Sequence, residues 1–217
     1  MKIVAARKIL KANDQLAEEN RGRFNRSGTL VVNMVGSPGC GKTTLLEALF
    51  GGLDGRVVPA VIEGDLASSI DAERIEKLGV PVVQINTQGA CHLDAVMVAD
   101  ACEGIALDKT DLLVIENVGN LVCTAGFDLG EHLRIVLLSV SEGDDKVIKY
   151  PTIFRKSDAL LITKTDLLPQ SNFSVDRVRA DMQRLTPKAQ LFQVSASTGE
   201  GVRQLADWLL GKCPRAE

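Results

Sequence analysis

A chain of 217 residues has room for one α/β domain with a full core and at most a short appendage. Its apolar share of 45% and charged share of 24% are ordinary for a soluble globular protein, and a net charge of −3 speaks against a nucleic-acid or anionic-membrane surface. No run is long and apolar enough to span a bilayer, and Met1-Lys2-Ile3-Val4 lacks a signal-peptide core, so a cytoplasmic location is expected. The five cysteines are odd in number and scattered, which favours metal ligation over a disulfide framework where thiols cluster.

Residues 2 to about 26 alternate basic and acidic side chains around Ile9, Leu10, Leu16 and Phe24. The pattern predicts an amphipathic helix ending near Arg21-Gly22, then a linker through Arg26-Ser27-Gly28. This divides the chain into a helix and linker over 1–27 and a main domain over 28–217.

Thr29-Leu30-Val31-Val32-Asn33-Met34-Val35 reads as a buried strand, and Thr44-Leu45-Leu46-Glu47-Ala48-Leu49-Phe50 as a helix. Between them, Gly36-Ser37-Pro38-Gly39-Cys40-Gly41-Lys42-Thr43 fills every position of the P-loop pattern. Backbone N–H groups freed by the glycines can wrap a triphosphate at the positive end of the helix dipole. Lys42 is expected to reach the β- and γ-phosphates, and the Thr43 hydroxyl to ligate Mg²⁺.

Val57-Val58-Pro59-Ala60-Val61-Ile62 predicts a second strand ending in Glu63-Gly64-Asp65. Asp65, at a strand's carboxyl tip beside a P-loop, is the candidate for holding Mg²⁺ or its waters. A short helix over Asp71 to Leu78, closed by Gly79, leads to the strand Val80 to Ile85. Cys91-His92 then sits at a loop-to-helix junction, a ligand pair if other donors join it. Asp111-Leu112-Leu113-Val114-Ile115-Glu116 is the most strand-like run, and Glu116-Asn117-Val118-Gly119 predicts a switch-like loop near the γ-phosphate, with Cys123 just beyond. If these strands share a parallel sheet, Cys91, His92 and Cys123 emerge at the nucleotide edge as a metal half-site.

Leu133 to Val140 is another strand, followed by a helical segment around Ile148 to Lys156 and the strand Ala159 to Ile162. Thr163-Lys164-Thr165-Asp166 at its tip is a variant of the Asn-Lys-x-Asp guanine motif. Asp166 can accept both N1–H and the N2 amino group of guanine, an edge that adenine lacks, while the Lys164 stem lies against the base. Phe173 to Leu185 reads as a helix and Leu191 to Val194 as the last strand, ending in Ser195-Ala196-Ser197 at the base. Val202, Leu205, Trp208 and Leu209 form the apolar stripe of a closing helix. Cys40, Cys102 and Cys213 are given no metal chemistry, Cys213 falling in a frayed tail, and His132 reads as exposed or capping.

The expected architecture is therefore α/β, a mostly parallel sheet flanked by helices, with a short N-terminal helix. Lys42, Asp65 and Glu116 are the catalytic candidates, with Lys42 and Asp65 expected in a solvated crevice. Gly36, Ser37, Gly39, Cys40, Gly41, Lys42, Thr43, Thr44, Gly119, Lys164, Asp166, Ser195 and Ala196 are the nucleotide-binding candidates. Thr43 and Asp65 are the Mg²⁺ candidates, and Cys91, His92 and Cys123 those for a metal half-site.

From the N-terminal helix to the last strand the chain resembles the hydrogenase nickel-incorporation GTPases, the HypB family within the SIMIBI class. The most specific parts are Cys91-His92-Leu93-Asp94-Ala95, Glu116-Asn117-Val118-Gly119-Asn120-Leu121-Val122-Cys123 and Phe127-Asp128-Leu129-Gly130. Urease-accessory relatives carry a Cys-Pro-His motif instead. The resemblance implies slow GTP hydrolysis, GTP-linked homodimerisation, and a Ni²⁺ or Zn²⁺ site at the dimer interface built from Cys91, His92 and Cys123. It also implies nickel delivery to a [NiFe]-hydrogenase large subunit, with the accessory protein HypA as partner. The N-terminal Cys-x-x-Cys-Gly-Cys motif and the histidine-rich tract of some relatives are missing, and Thr163 replaces the usual Asn. Two other readings compete: an accessory GTPase for another metallocentre such as urease or a cobalamin enzyme, and a metal-binding scaffold with vestigial GTPase activity.

Overall fold

Strands covered on both faces must be apolar throughout rather than alternating, and the central strands here obey that rule. Every residue of β1 (Leu30–Gly36), β4 (Leu112–Glu116) and β6 (Ala159–Thr163) is buried. With β2 (Pro59–Asp65), β3 (Val82–Asn86), β5 (Leu133–Ser139) and β7 (Gln190–Val194) they form one seven-stranded sheet in the order β3-β2-β4-β1-β5-β6-β7. Every neighbouring pair is parallel, so the sheet is wholly rather than mostly parallel. The structure, a computed structural model, describes residues 5–65 and 68–216, with side chains from residue 10 onward.

Helices cover both faces. On one, α2 (Lys42–Gly52) packs with α3 (Ile70–Glu76) and α8 (Val202–Leu210) over a core that includes Leu46, Leu49, Val114, Leu137 and Leu205. The other face carries two clusters. The first, around Phe24, Ile62, Leu93 and Leu113, lies under α1 (Ala5–Ser27) and α4 (Ala95–Ala101). The second, around Phe154, Leu138, Leu160 and Val178, lies under α5 (Lys146–Lys149), α6 (Pro151–Arg155) and α7 (Val175–Leu185).

Two expectations need correction. The N-terminal helix does not stop near Gly22 but continues through Ser27, closing at Gly28 with φ of 69° and Gly28 N donating to Asn25 O at 3.2 Å. Gly22 weakens the helix by only about 1 kcal/mol relative to alanine, and the fully buried Phe24 beyond it outweighs that. Residues 2–4 and the Ile9 side chain of the expected helix lie outside the described residues. The tail is not frayed at Cys213, whose thiol donates to Asp111 O at 3.3 Å, and Arg215 pairs with Asp111 at 3.0 Å. Among the described residues no helix is long and apolar enough to cross a membrane.

Candidate nucleotide and metal site

The P-loop turns at Gly36, where a Cβ would stand 2.6 Å from Cys40 Sγ and 3.1 Å from Leu137 O. Gly39 and Gly41 both have positive φ, 73° and 94°. Helix α2 starts from Gly41 without a side-chain cap, so its first-turn N–H groups face the loop as an anion cradle. Lys42 is only 9% exposed, with Nζ 3.9 Å from Glu116 Oε1. The solvated crevice expected for Lys42 is therefore corrected: a buried carboxylate holds the ammonium. Thr43 Oγ1 donates to the same Glu116 oxygen at 2.9 Å.

That carboxylate is half of a pair. Parallel pairing of β2 with β4 sets Glu63 opposite Glu116, and both are buried. Burial first, then the charge of Glu116, push the Glu63 carboxyl up to about 10. Burial likewise raises Glu116, while Lys42 and Thr43 pull it back down. Two carboxylates this close share a proton rather than both ionising. One oxygen on each, Oε2, is buried without a hydrogen-bond partner. Donor oxygens of Glu63, Asp65 and Asp71 lie within 4.8 Å of one another, and Asp65 Oδ1 accepts from Ser68 N at 2.9 Å. Hard oxygens converging beside a phosphate cradle suit Mg²⁺, and the two orphaned oxygens are what a cation there could satisfy.

At the other end of the cleft, Lys164 has φ of 58° and its Nζ donates to Gly39 O at 2.7 Å. Thr163 Oγ1 donates to Cys40 O, also at 2.7 Å, so the residue that replaces the usual Asn ties the base loop to the P-loop. Ser195 Oγ donates to Asp166 Oδ1 at 2.6 Å, and this hydroxyl holds the Asp166 carboxyl below its ordinary range. A cavity of about 220 Å³ opens between the loops, lined by Gly41, Thr44, Lys164, Asp166, Ala196 and Ser197. Asp166 contributes a carboxylate to its wall.

Beyond the carboxylates, Cys91 Sγ lies 3.7 Å from His92 Nδ1. The Cys123 thiol is raised, chiefly by its hydrogen bond with Cys91, so the loops after β3 and β4 do bring the two sulfurs together. Asn120 shapes the second loop, its Oδ1 accepting from Val122 N at 2.7 Å and Cys123 N at 2.9 Å. The His92 ring stacks on Phe127 with centroids 3.8 Å apart, and burial lowers its pKa, which favours the neutral, ligating form. Among the described residues the set whose donors all lie within 4.8 Å is the acidic one, so Cys91, His92 and Cys123 do not all converge within that distance.

The profile of the CobW/HypB/UreG nucleotide-binding domain matches residues 30–193. The hydrogenase maturation factor HypB of Escherichia coli K12 is 48% identical over 201 residues, covering 93% of this chain and 69% of that one. The hydrogenase/urease maturation factor HypB of Helicobacter pylori J99 is 46% identical over 209 residues, covering 94% of this chain and 86% of that one. The crystal structure of HypB from Helicobacter pylori in complex with nickel superposes with a TM-score of 0.88 at 45% identity, covering 93% of this chain and 94% of that one. The chain is a member of the HypB family of P-loop GTPases.

For a HypB-family chain, the residues singled out from sequence gather at one sheet edge. Gly36, Ser37, Gly39, Cys40, Gly41, Lys42, Thr43 and Thr44 surround the start of α2, and Lys164, Asp166, Ser195 and Ala196 lie across the cavity. Gly119 rests on the P-loop, where a Cβ would meet Pro38 Cα at 2.9 Å. Asp65 stands at the β2 tip, while Glu116 is buried beneath Lys42. His132, expected to be exposed or capping, is half-buried, and its Nδ1 accepts from Val31 N at 2.9 Å. Sequence reasoning passed over Glu63, Asp71 and Phe127. The first carried a signal, a Glu two residues before Asp65 on the same strand face.

Proposed function

We propose that this chain is a slow GTP hydrolase used as a switch, which binds nickel (or zinc) through Cys91, His92 and Cys123 and assists nickel insertion into a [NiFe]-hydrogenase. One observation carries the reading. A single loop begins at Glu116, which accepts from the P-loop Thr43 at 2.9 Å, and ends at Cys123 beside Cys91. In this scheme Lys42 offsets phosphate charge, Asp166 reads guanine, and Glu116 orients Thr43 and receives the Lys42 charge. Thr43 and Asp65, with Glu63 alongside, would hold Mg²⁺, whose role when bound is to offset charge on the phosphate oxygens. Closed zinc sites take four ligands and nickel–thiolate sites often a planar set, so three donors call for a second subunit or water. A GTP-favoured homodimer, HypA and the hydrogenase large subunit in the cytoplasm are the partners this reading calls for, with no nucleic acid and no membrane. A urease client is the second reading, favoured by the name of the Helicobacter pylori relative.

The test combines phosphate release with metal titration on the purified protein. GTP is expected to be hydrolysed and ATP not, with turnover abolished in Lys42→Ala. Cys91→Ala or Cys123→Ala should lose most nickel binding yet keep nucleotide binding. Equal turnover of ATP and GTP would remove the guanine reading, and nickel binding untouched by both cysteine changes would remove the metal site.

A further inference from the structure

Beneath the thiol loops runs a line of buried polar side chains that neither phosphate binding nor metal ligation uses. Asn33 lies inside the central strand β1 and is fully buried, a position where an amide is costly unless its hydrogen bonds are made. Its Nδ2 donates to Glu131 Oε1 at 3.1 Å, and its Oδ1 accepts from Asn117 Nδ2 at 3.2 Å. Glu131 pairs with Arg134 at 2.5 Å with both side chains buried, and Arg134 Nη2 donates to Phe127 O at 2.7 Å. Asn117 directly follows Glu116, and its Oδ1 accepts from Val118 N at 2.9 Å and Leu93 N at 3.2 Å.

The two ends of this line converge on His92. One end holds the backbone of Leu93, the next residue, and the other holds Phe127, on which the His92 ring stacks. The origin of the line is the nucleotide loop, where Gly119 has no space between itself and Pro38 of the P-loop. The P-loop is thus packed directly against the segment that carries Asn117. A buried ion pair and two buried amides stabilise no better than apolar packing, but a fully satisfied polar network holds a single geometry.

We infer that Asn117, backed by Asn33, Glu131 and Arg134, is the positioning residue through which nucleotide state sets the metal affinity of the Cys91–His92–Cys123 site. The inference rests on the metal-switch reading above. It requires Asn117 to touch neither nucleotide nor metal, so each ligand should still bind when Asn117 is changed. Only their linkage should be lost.

The experiment titrates Ni²⁺ into the full chain with GDP and with a non-hydrolysable GTP analogue, following thiolate-to-nickel absorption. In the native protein the two dissociation constants are expected to differ by roughly fivefold or more. In Asn117→Ala their ratio should fall to near one, while nickel stoichiometry and GTP turnover are kept. By reciprocity, the effect of nickel on GTP-analogue affinity should vanish in step, which a merely structural defect does not require. Arg134→Lys keeps the charge facing Glu131 but gives up the planar fork that also reaches Phe127 O, and it should lower the ratio in the same direction. If Asn117→Ala does not fold by circular dichroism, Arg134→Lys decides alone. A native ratio preserved in the folded variants overturns this inference and leaves the metal switch standing. Equal affinities in the native protein overturn both.

Discussion

Glu63 and Glu116 face each other across β2 and β4 with a shared proton, and the consequence can be measured without any ligand. In the folded chain Glu63 keeps its proton up to about 10, whereas the unfolded chain releases it near 4.5. Between those values unfolding releases a proton, so the associated stability is whole below the lower one and drains away as pH rises through the upper one. Glu63→Gln makes the neutral form permanent. In nucleotide- and Mg²⁺-free buffer its melting temperature should exceed that of the native protein at pH 8, and should fall less between pH 5 and 9. Parallel curves for the two proteins would show that the pair is not protonated as described. Asp65's place at a strand tip was legible because the apolar run before it ends there. Glu63 showed only as a second acid on that strand face, and its pairing with Glu116 was hidden, since nothing local to β2 names the strand beside it.

Helix α1 looks from its pattern like an appendage, yet it clamps the segments on either side of the thiol loops. Asn13 Nδ2 donates to Asp128 O at 2.8 Å and its Oδ1 accepts from Ala95 N at 2.9 Å. Asn20 Nδ2 donates to Ala95 O at 2.9 Å and Leu129 O at 3.2 Å. These amides were unreadable in the sequence, where polar residues on an amphipathic helix signal a solvated face; only the partner loop makes them structural. The helix also passes tightly over Gly130, whose φ is 90° and whose missing Cβ would lie 2.6 Å from Ala17 O. Gly130→Ala should therefore cost about 2 kcal/mol or more, from left-handed strain plus the clash. Urea unfolding would measure it, and a loss under about 0.5 kcal/mol, the range of neutral surface changes, would mean that α1 is not seated there.

At the scale of the whole molecule, the carboxyl edge of a parallel sheet collects what the chain scatters: P-loop, acids, thiols and the Lys164–Asp166 and Ser195–Ser197 loops come from the tips of β1, β2, β3, β4, β6 and β7. That much could be read from apolar runs ending in polar motifs, because fully buried strands leave an uninterrupted apolar signature. The lateral order could not, since nothing local to a strand names its neighbour. The order sets β4, more than fifty residues downstream of β2, between β2 and β1. During synthesis, then, the complete phosphate motif leaves the ribosome well before the strand that must wedge in beside it. Until residue 112 arrives, β1 and β2 have no shared ladder and each shows bare edge groups, a non-local arrangement that slows folding and invites misassociation. Nascent chains halted before residue 112 should be cut readily by protease throughout, and those extended past β5 should begin to resist. Early resistance in the short chains would mean that the first half finds a fold of its own.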